Sequence, residues 1–293
     1  MAKETMLTWS RKAKALEEIP VFYRETYNKF TSGTVPFTII APPRYSGRIK
    51  KSLPQLLFLW KDTLFILEKH KNEIKSFQYE LNKINYIERG VLLLSSWIKV
   101  NGITGNTLFS HRTDFNTVTE KFFIQIIDEV RLANNEFRND VIIDSEKSKF
   151  YKLLYKNFKF MNYGIDSLMG GEKVIDMLLQ PEMNIGNRKY FRKYIPAHIL
   201  ILTDKELILI KDNMSLRTDN VYGGIWTYIP LNKIKLISVD DNPKNATIMV
   251  SIAFKTENII TLSFEVSKRK EIDDIINQLL ELNIQTERFF EKK

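Results

Sequence analysis

The chain contains no cysteine and only three histidines. The first absence removes disulfides, thiolate metal sites, iron–sulfur clusters and cysteine nucleophiles. His70, His111 and His198 are scattered without metal-ligand spacing, so neither a metal nor a cofactor is expected. Long hydrophobic runs are also missing. The longest, 56–60 and 199–202, are strand-sized, far from the roughly 18 residues of a membrane span. Charges at Lys3, Glu4, Arg11, Lys12, Lys14, Glu17 and Glu18 break up the first segment, which therefore does not read as a secretory signal. The expected location is cytoplasmic, or peripheral on the cytoplasmic membrane face. Gly170-Gly171 and Gly223-Gly224 lack the strand–glycine–helix frame of a nucleotide loop, and no nucleophile-elbow, Walker or zincin pattern occurs. These absences together argue against an enzyme.

What remains is a globular composition: 293 residues, 44% hydrophobic, with 44 Lys+Arg against 35 Asp+Glu for a net charge of +9. That length suits about two domains. An internal repeat gives the division a shape. The segment Lys51 to Lys69 matches Lys193 to Lys211 at an offset of 142, sharing Pro54/Pro196, Asp62/Asp204, Ile66/Ile208 and Leu67/Leu209. Leu81-Asn82-Lys83-Ile84 recurs as Leu231-Asn232-Lys233-Ile234 at an offset of 150, and Phe122, Phe123, Ile126 and Ile127 align with Ile275, Ile276, Leu279 and Leu280 at 153. Each copy reads as six or seven short antiparallel strands followed by one amphipathic helix, with Thr117 and Ser267 as N-caps. Strands of this kind must curl or close to hide their edges. The expected fold is therefore mainly β with α: a small, nearly closed β-barrel plus a C-terminal helix, present twice in tandem. The expected segments are an N-terminal extension over 1–35, a first domain over 36–133, a helical linker over 134–170, a second domain over 171–284 and a tail over 285–293. On a helix spanning 145–161, Lys149, Lys152, Lys156 and Lys159 share one arc, and the expectation is a connecting helix with those lysines in water.

This order of strands and terminal helix resembles the pleckstrin-homology (PH) superfold, with its bacterial PH and GRAM-like relatives. Gly171 to Val174, Ile195-Pro196 and Leu202 to Ile210 are similar to the opening of bacterial PH-like domains, and Leu53-Pro54 with Leu59 to Leu67 matches more loosely. Neither closing helix carries the tryptophan found in many eukaryotic members. The resemblance implies a non-enzymatic binding module whose anion site, where present, lies in the loop between the first two strands.

That loop is basic in both copies. The first holds Arg44, Arg48, Lys50 and Lys51, with no acid between Ala41 and Ser52. The second holds Arg188, Lys189, Arg192 and Lys193, with no acid between Gly186 and Tyr194. Clustered cations without counter-charges suggest an anionic partner, and Arg and Lys both serve phosphate. Arg48-Ile49-Lys50 resembles part of the phosphoinositide motif of PH domains, whereas Arg192-Lys193 are adjacent and point to opposite faces of a strand. The expected partner is an acidic lipid headgroup or a protein. The alternative is a protein-interaction or self-assembly scaffold that uses the strand/helix groove and has no lipid ligand. Nucleic acid is disfavoured because the charge lies elsewhere: residues 1–144 carry +5 (21 against 16), 145–171 carry +3 (5 against 2) and 172–293 only +1 (18 against 17).

Overall fold

The computed structural model describes residues 9–46, 49–50, 52–71, 73–135, 144–185, 193–213, 223–242, 247–256 and 258–290, without the side chains of 46, 49–50, 185, 193 and 283–290. The fold is mainly β. The chain divides into two compact units, Met1–Asn134 and Asn135–Lys293.

The first unit begins with β1 (Arg11–Ala13) and α1 (Val21–Thr31). There follow β2 (Phe37–Ala41), a small hairpin of β3 (Tyr45–Ser46) and β4 (Ile49–Lys50), then β5 (Gln55–Trp60) and β6 (Thr63–His70). Next come β7 (Glu73–Leu92), β8 (Ser95–Thr104), β9 (Thr107–Phe115) and the closing helix α2 (Glu120–Asn134). The strands form an antiparallel meander in the order β1-β2-β5-β6-β7-β8-β9. The early part of β7 pairs with β6 and the later part with β8, and the register slips between Tyr79, Ile84 and Tyr86.

Strands β5 and β6 are apolar at consecutive positions because both of their faces are covered. Ile40, Leu56 and Leu67 lie in one cross-strand row, and Ile39, Leu57 and Ile66 in the next, facing the other way. The first row packs with Phe58 and Phe65 against Tyr23 and Tyr27 of α1. Tyr27 meets Phe58 edge-on at 4.8 Å and its hydroxyl lies 3.0 Å from Thr38 Oγ1. The second row is buried too, as are Phe123, Ile126, Ile127 and Val130 of α2. The segment expected as an N-terminal extension is thus one of the layers that make the core.

The second unit repeats this order. Helix α3 (Asp144–Ser148), a 3-10 turn (Lys149–Leu153) and α4 (Phe158–Ser167) precede β10 (Val174–Gln180). A small hairpin of β11 (Met183–Ile185) and β12 (Lys193–Ile195) follows, then β13 (His198–Thr203), β14 (Glu206–Lys211) and β15 (Gly224–Pro230). A 3-10 turn at Leu231–Lys233 leads into β16 (Ile234–Asn242), β17 (Thr247–Phe254) and β18 (Ile259–Glu265), and α5 (Arg269–Phe290) closes. The pairings are β10-β13-β14-β15 and β16-β17-β18. Where β7 runs through Leu81-Asn82-Lys83 as strand, the same tripeptide in the second unit is the 3-10 turn between β15 and β16.

The hydrogen bonds framing the first hairpin recur. Lys69 N donates to Pro54 O at 3.1 Å and Asp212 N to Ala197 O at 2.9 Å; Leu81 N donates to Asp62 O at 2.9 Å and Leu231 N to Lys205 O at 3.1 Å. The pairs Leu56↔Leu67 and Ile199↔Ile210, like the turn-framing pairs Leu59↔Leu64 and Leu202↔Leu207, give an offset of 143, one more than the sequence match.

Three expectations are corrected. Among the described residues neither unit is a closed barrel. In the first unit, side chains rather than a ladder span the open seam: Gln55 Nε2 reaches Arg112 O at 3.3 Å, and Arg44 Nη1 donates to Phe115 O. Second, 145–161 is not one helix. Asn157 restarts the chain as the N-cap of α4, accepting from Phe160 N at 3.2 Å; Lys149, Lys152 and Lys156 are exposed as expected, while three of the four lysines also meet protein partners. Lys149 bonds Glu146 and Val174 O, Lys159 bonds Asp212, and Lys152 lies 3.9 Å from Asp176. This stretch forms part of the second unit, with Tyr163 packed on Trp226 at 4.7 Å. Third, the caps lie elsewhere: Asn116 Oδ1 accepts from Val118 N at 3.0 Å, while Thr117 bonds across to Leu92 O; in the second unit Glu265 stands at the cap position, and Ser267 Oγ donates to its carboxylate at 3.2 Å.

Candidate functional site

The first basic loop leaves β2 through Pro42 and Pro43, whose fixed φ carries the chain off the sheet. Its root is tied at both ends: Arg44 N donates to Ser52 Oγ at 3.1 Å, and Ser52 N to Arg44 O at 3.4 Å. The Arg44 guanidinium is turned inward to Phe115 O. Tyr45, beside it, is 57% exposed. Arg48, Lys51 and the side chain of Lys50 lie outside the described residues, although the Lys50 backbone pairs with Tyr45. In the second unit, Arg188, Lys189 and Arg192 lie outside as well, and only the Lys193 backbone is described, paired with Ile185. There an acid stands at the stem: Tyr194 Oη donates to Glu182 Oε2 at 2.7 Å. Burial and that carboxylate push the Tyr194 phenol up to about 12. The second loop is therefore less purely cationic than its sequence window suggests, because Glu182 enters from the opposite arm.

At the foot of the first loop is a cavity of about 220 Å³, walled by Trp9, Phe22, Pro42, Pro43 and Pro54, with Arg11 also lining it. Gln55 lines it as well, and behind Gln55 lies a buried polar cluster. Gln55 Nε2 donates to Glu68 Oε2 at 2.8 Å and meets His111 Nε2 at 3.0 Å; Glu68 Oε1 lies 2.6 Å from His70 Nε2. Burial pushes the His111 imidazole down, against the opposing pull of Glu68. A neutral His111 with a bare Nε2 is the form that can accept from the Gln55 amide. The cluster orders the strand ends below the loop and has the chemistry of a hydrogen-bond network, with no nucleophile in it. The His70/Glu68 pair has a sequence signal, since positions two apart share a strand face. The approach of His111, from β9, has none.

His198, by contrast, is a core residue. Its Nδ1 lies 3.0 Å from Pro196 O, its ring meets Phe264 at 4.9 Å, and burial pushes it down to about 4. The interior between α5 and the strands of the second unit is filled by Leu200, Phe264, Ile275 and their neighbours, leaving about 10 Å³. That is less than a ligand needs. Among the described residues no cluster of three or more His, Asp or Glu side chains can hold a metal ion, and no helix is long and apolar enough to cross a membrane. No protein-family model matches the chain, and no curated protein matches it.

Proposed function

We propose that the chain is a non-enzymatic binding protein of two tandem PH-like domains that docks on an acidic membrane face through the first basic loop. Support for the PH-like reading comes from the element order: in the second unit four paired strands, then three, then a helix, and in the first a continuous antiparallel meander, then a helix. The observation that carries the membrane reading is the anchored root of the loop. Arg44 and Ser52 pin the two ends of an acid-free, cation-rich segment at the seam between β5 and β9, so its charge is presented from a fixed base. Anionic lipid attracts such a segment by about 1 kcal/mol per cation near the surface.

The test is co-sedimentation of the full chain with phosphatidylcholine vesicles, with and without phosphatidylserine, at low and high salt. Binding is expected only with phosphatidylserine and is expected to weaken with salt. Arg48→Glu, Lys50→Glu and Lys51→Glu together are expected to abolish it. Arg44 is left intact because its guanidinium holds the seam. Binding that ignores both phosphatidylserine and charge reversal refutes the reading.

A further inference from the structure

The turn between β7 and β8 is made of two leucines. Leu92 pairs with Ser95, so Leu93 and Leu94 are the whole connection, and they are 66% and 67% exposed. Two-residue hairpin turns favour Asn, Asp and Gly, which reach positive φ. Neither leucine has positive φ, so no backbone demand explains them. Nor does the core, since both side chains point into water. A third apolar side chain stands alongside. Thr117 Oγ1 donates to Leu92 O at 3.3 Å and lies 2.8 Å from Ser96 Oγ, which fixes the approach to α2 against this turn. Val118, the next residue, is 58% exposed.

The same end of the first unit carries the root of the basic loop. Phe115, whose carbonyl accepts from Arg44, pairs with Ser96 in the β8–β9 ladder. Exposed Lys121 follows Val118 by about one helical turn. The nearby acids are engaged: Glu120 by Arg89 and Asp114 by Arg112, each at 2.7 Å, while Glu88 accepts from Trp97 Nε1 at 3.3 Å. An exposed apolar tip beside Lys121 and the root of the basic loop suits a bilayer interface, where leucines enter the acyl boundary and cations remain at the phosphates.

From this juxtaposition we infer that Leu93 and Leu94, with Val118 beside them, form a wedge that inserts into the acidic membrane to which the basic loop is drawn. The inference rests on the membrane reading above. It adds a hydrophobic, salt-resistant component to an electrostatic one. Because the chain has no cysteine, Leu94→Cys provides a unique thiol for a polarity-sensitive fluorophore, with Thr107→Cys, the first residue of β9 and paired with Thr104 at the far end of β8, as the control. Vesicles containing phosphatidylserine are expected to blue-shift the label at 94 and shield it from an aqueous quencher, and to leave the label at 107 unchanged. Leu93→Ser/Leu94→Ser is expected to weaken vesicle binding at least about tenfold.

Vesicle binding that survives the double serine variant with the label at 94 still quenched overturns the wedge and leaves the basic-loop reading standing. Absence of wild-type binding overturns both. A blue shift that grows with protein concentration in the absence of vesicles assigns the tip to a protein contact and also overturns the wedge.

Discussion

Trp97 packs so closely over Gly90 that a Cβ there would lie 2.0 Å from the indole, and the Arg112 guanidinium sits 4.2 Å from the centre of the same ring. Gly90→Ala therefore has to displace a buried tryptophan, and urea unfolding is expected to show a loss of about 1–3 kcal/mol. Gly164 makes a sharper case because it lies inside α4, where Gly→Ala ordinarily gains about 1 kcal/mol. Here the new Cβ would be 2.2 Å from the fully buried ring of Phe150, so Gly164→Ala is expected to destabilise. Stabilisation would contradict the packing. His198 supplies a pH dependence. Its folded value of about 4 lies below the ordinary 6.5, so the unfolded chain takes up the proton first as pH falls. The contribution is complete above pH 6.5 and drains away towards pH 4, about 3 kcal/mol in all. His198→Asn, which keeps a donor for Pro196 O, is expected to flatten that slope in thermal unfolding measured across this range. Only part of this was legible in the sequence. The histidines carry no metal-ligand spacing that a sequence reading can use, and the pairing of Gln55 with His111 depends on a seam between β5 and β9 that no local pattern encodes.

Among the elements, strands were the easiest to read, because runs such as Leu56 to Phe58 and Ile199 to Leu202 are buried on both faces. The closing helices show how a correct pattern gives a shifted register. Sequence alignment at 153 pairs Phe122 with Ile275, whereas the helices start at Glu120 and Arg269, an offset of 149. The difference is about one helical turn, and a pattern of period 3.6 matches itself one turn along. Lysine spacing over 145–161 misled in a similar way. Four lysines on an arc describe one helix only if the chain remains helical, and Asn157 restarts it. Asn157→Ala removes the bond to Phe160 N and is expected to cost about 1 kcal/mol in denaturant unfolding.

At the scale of the molecule, the helical segments expected as extension and linker are covers for the sheets that follow them. Cutting at 171 removes α3, α4 and the packing of Tyr163 on Trp226. A 171–284 fragment is therefore expected to aggregate, whereas 135–293 is expected to stay soluble with a single cooperative transition by circular dichroism. Equal behaviour of the two fragments would show that the cover is dispensable. The order of elements within each unit also bears on how the chain is made. A ribosome releases α1 before β5 and β6, and α3 and α4 before β13 and β14. The stickiest strands thus emerge into the presence of a partner already synthesised, and the interval in which their apolar faces could recruit a neighbouring nascent chain is short.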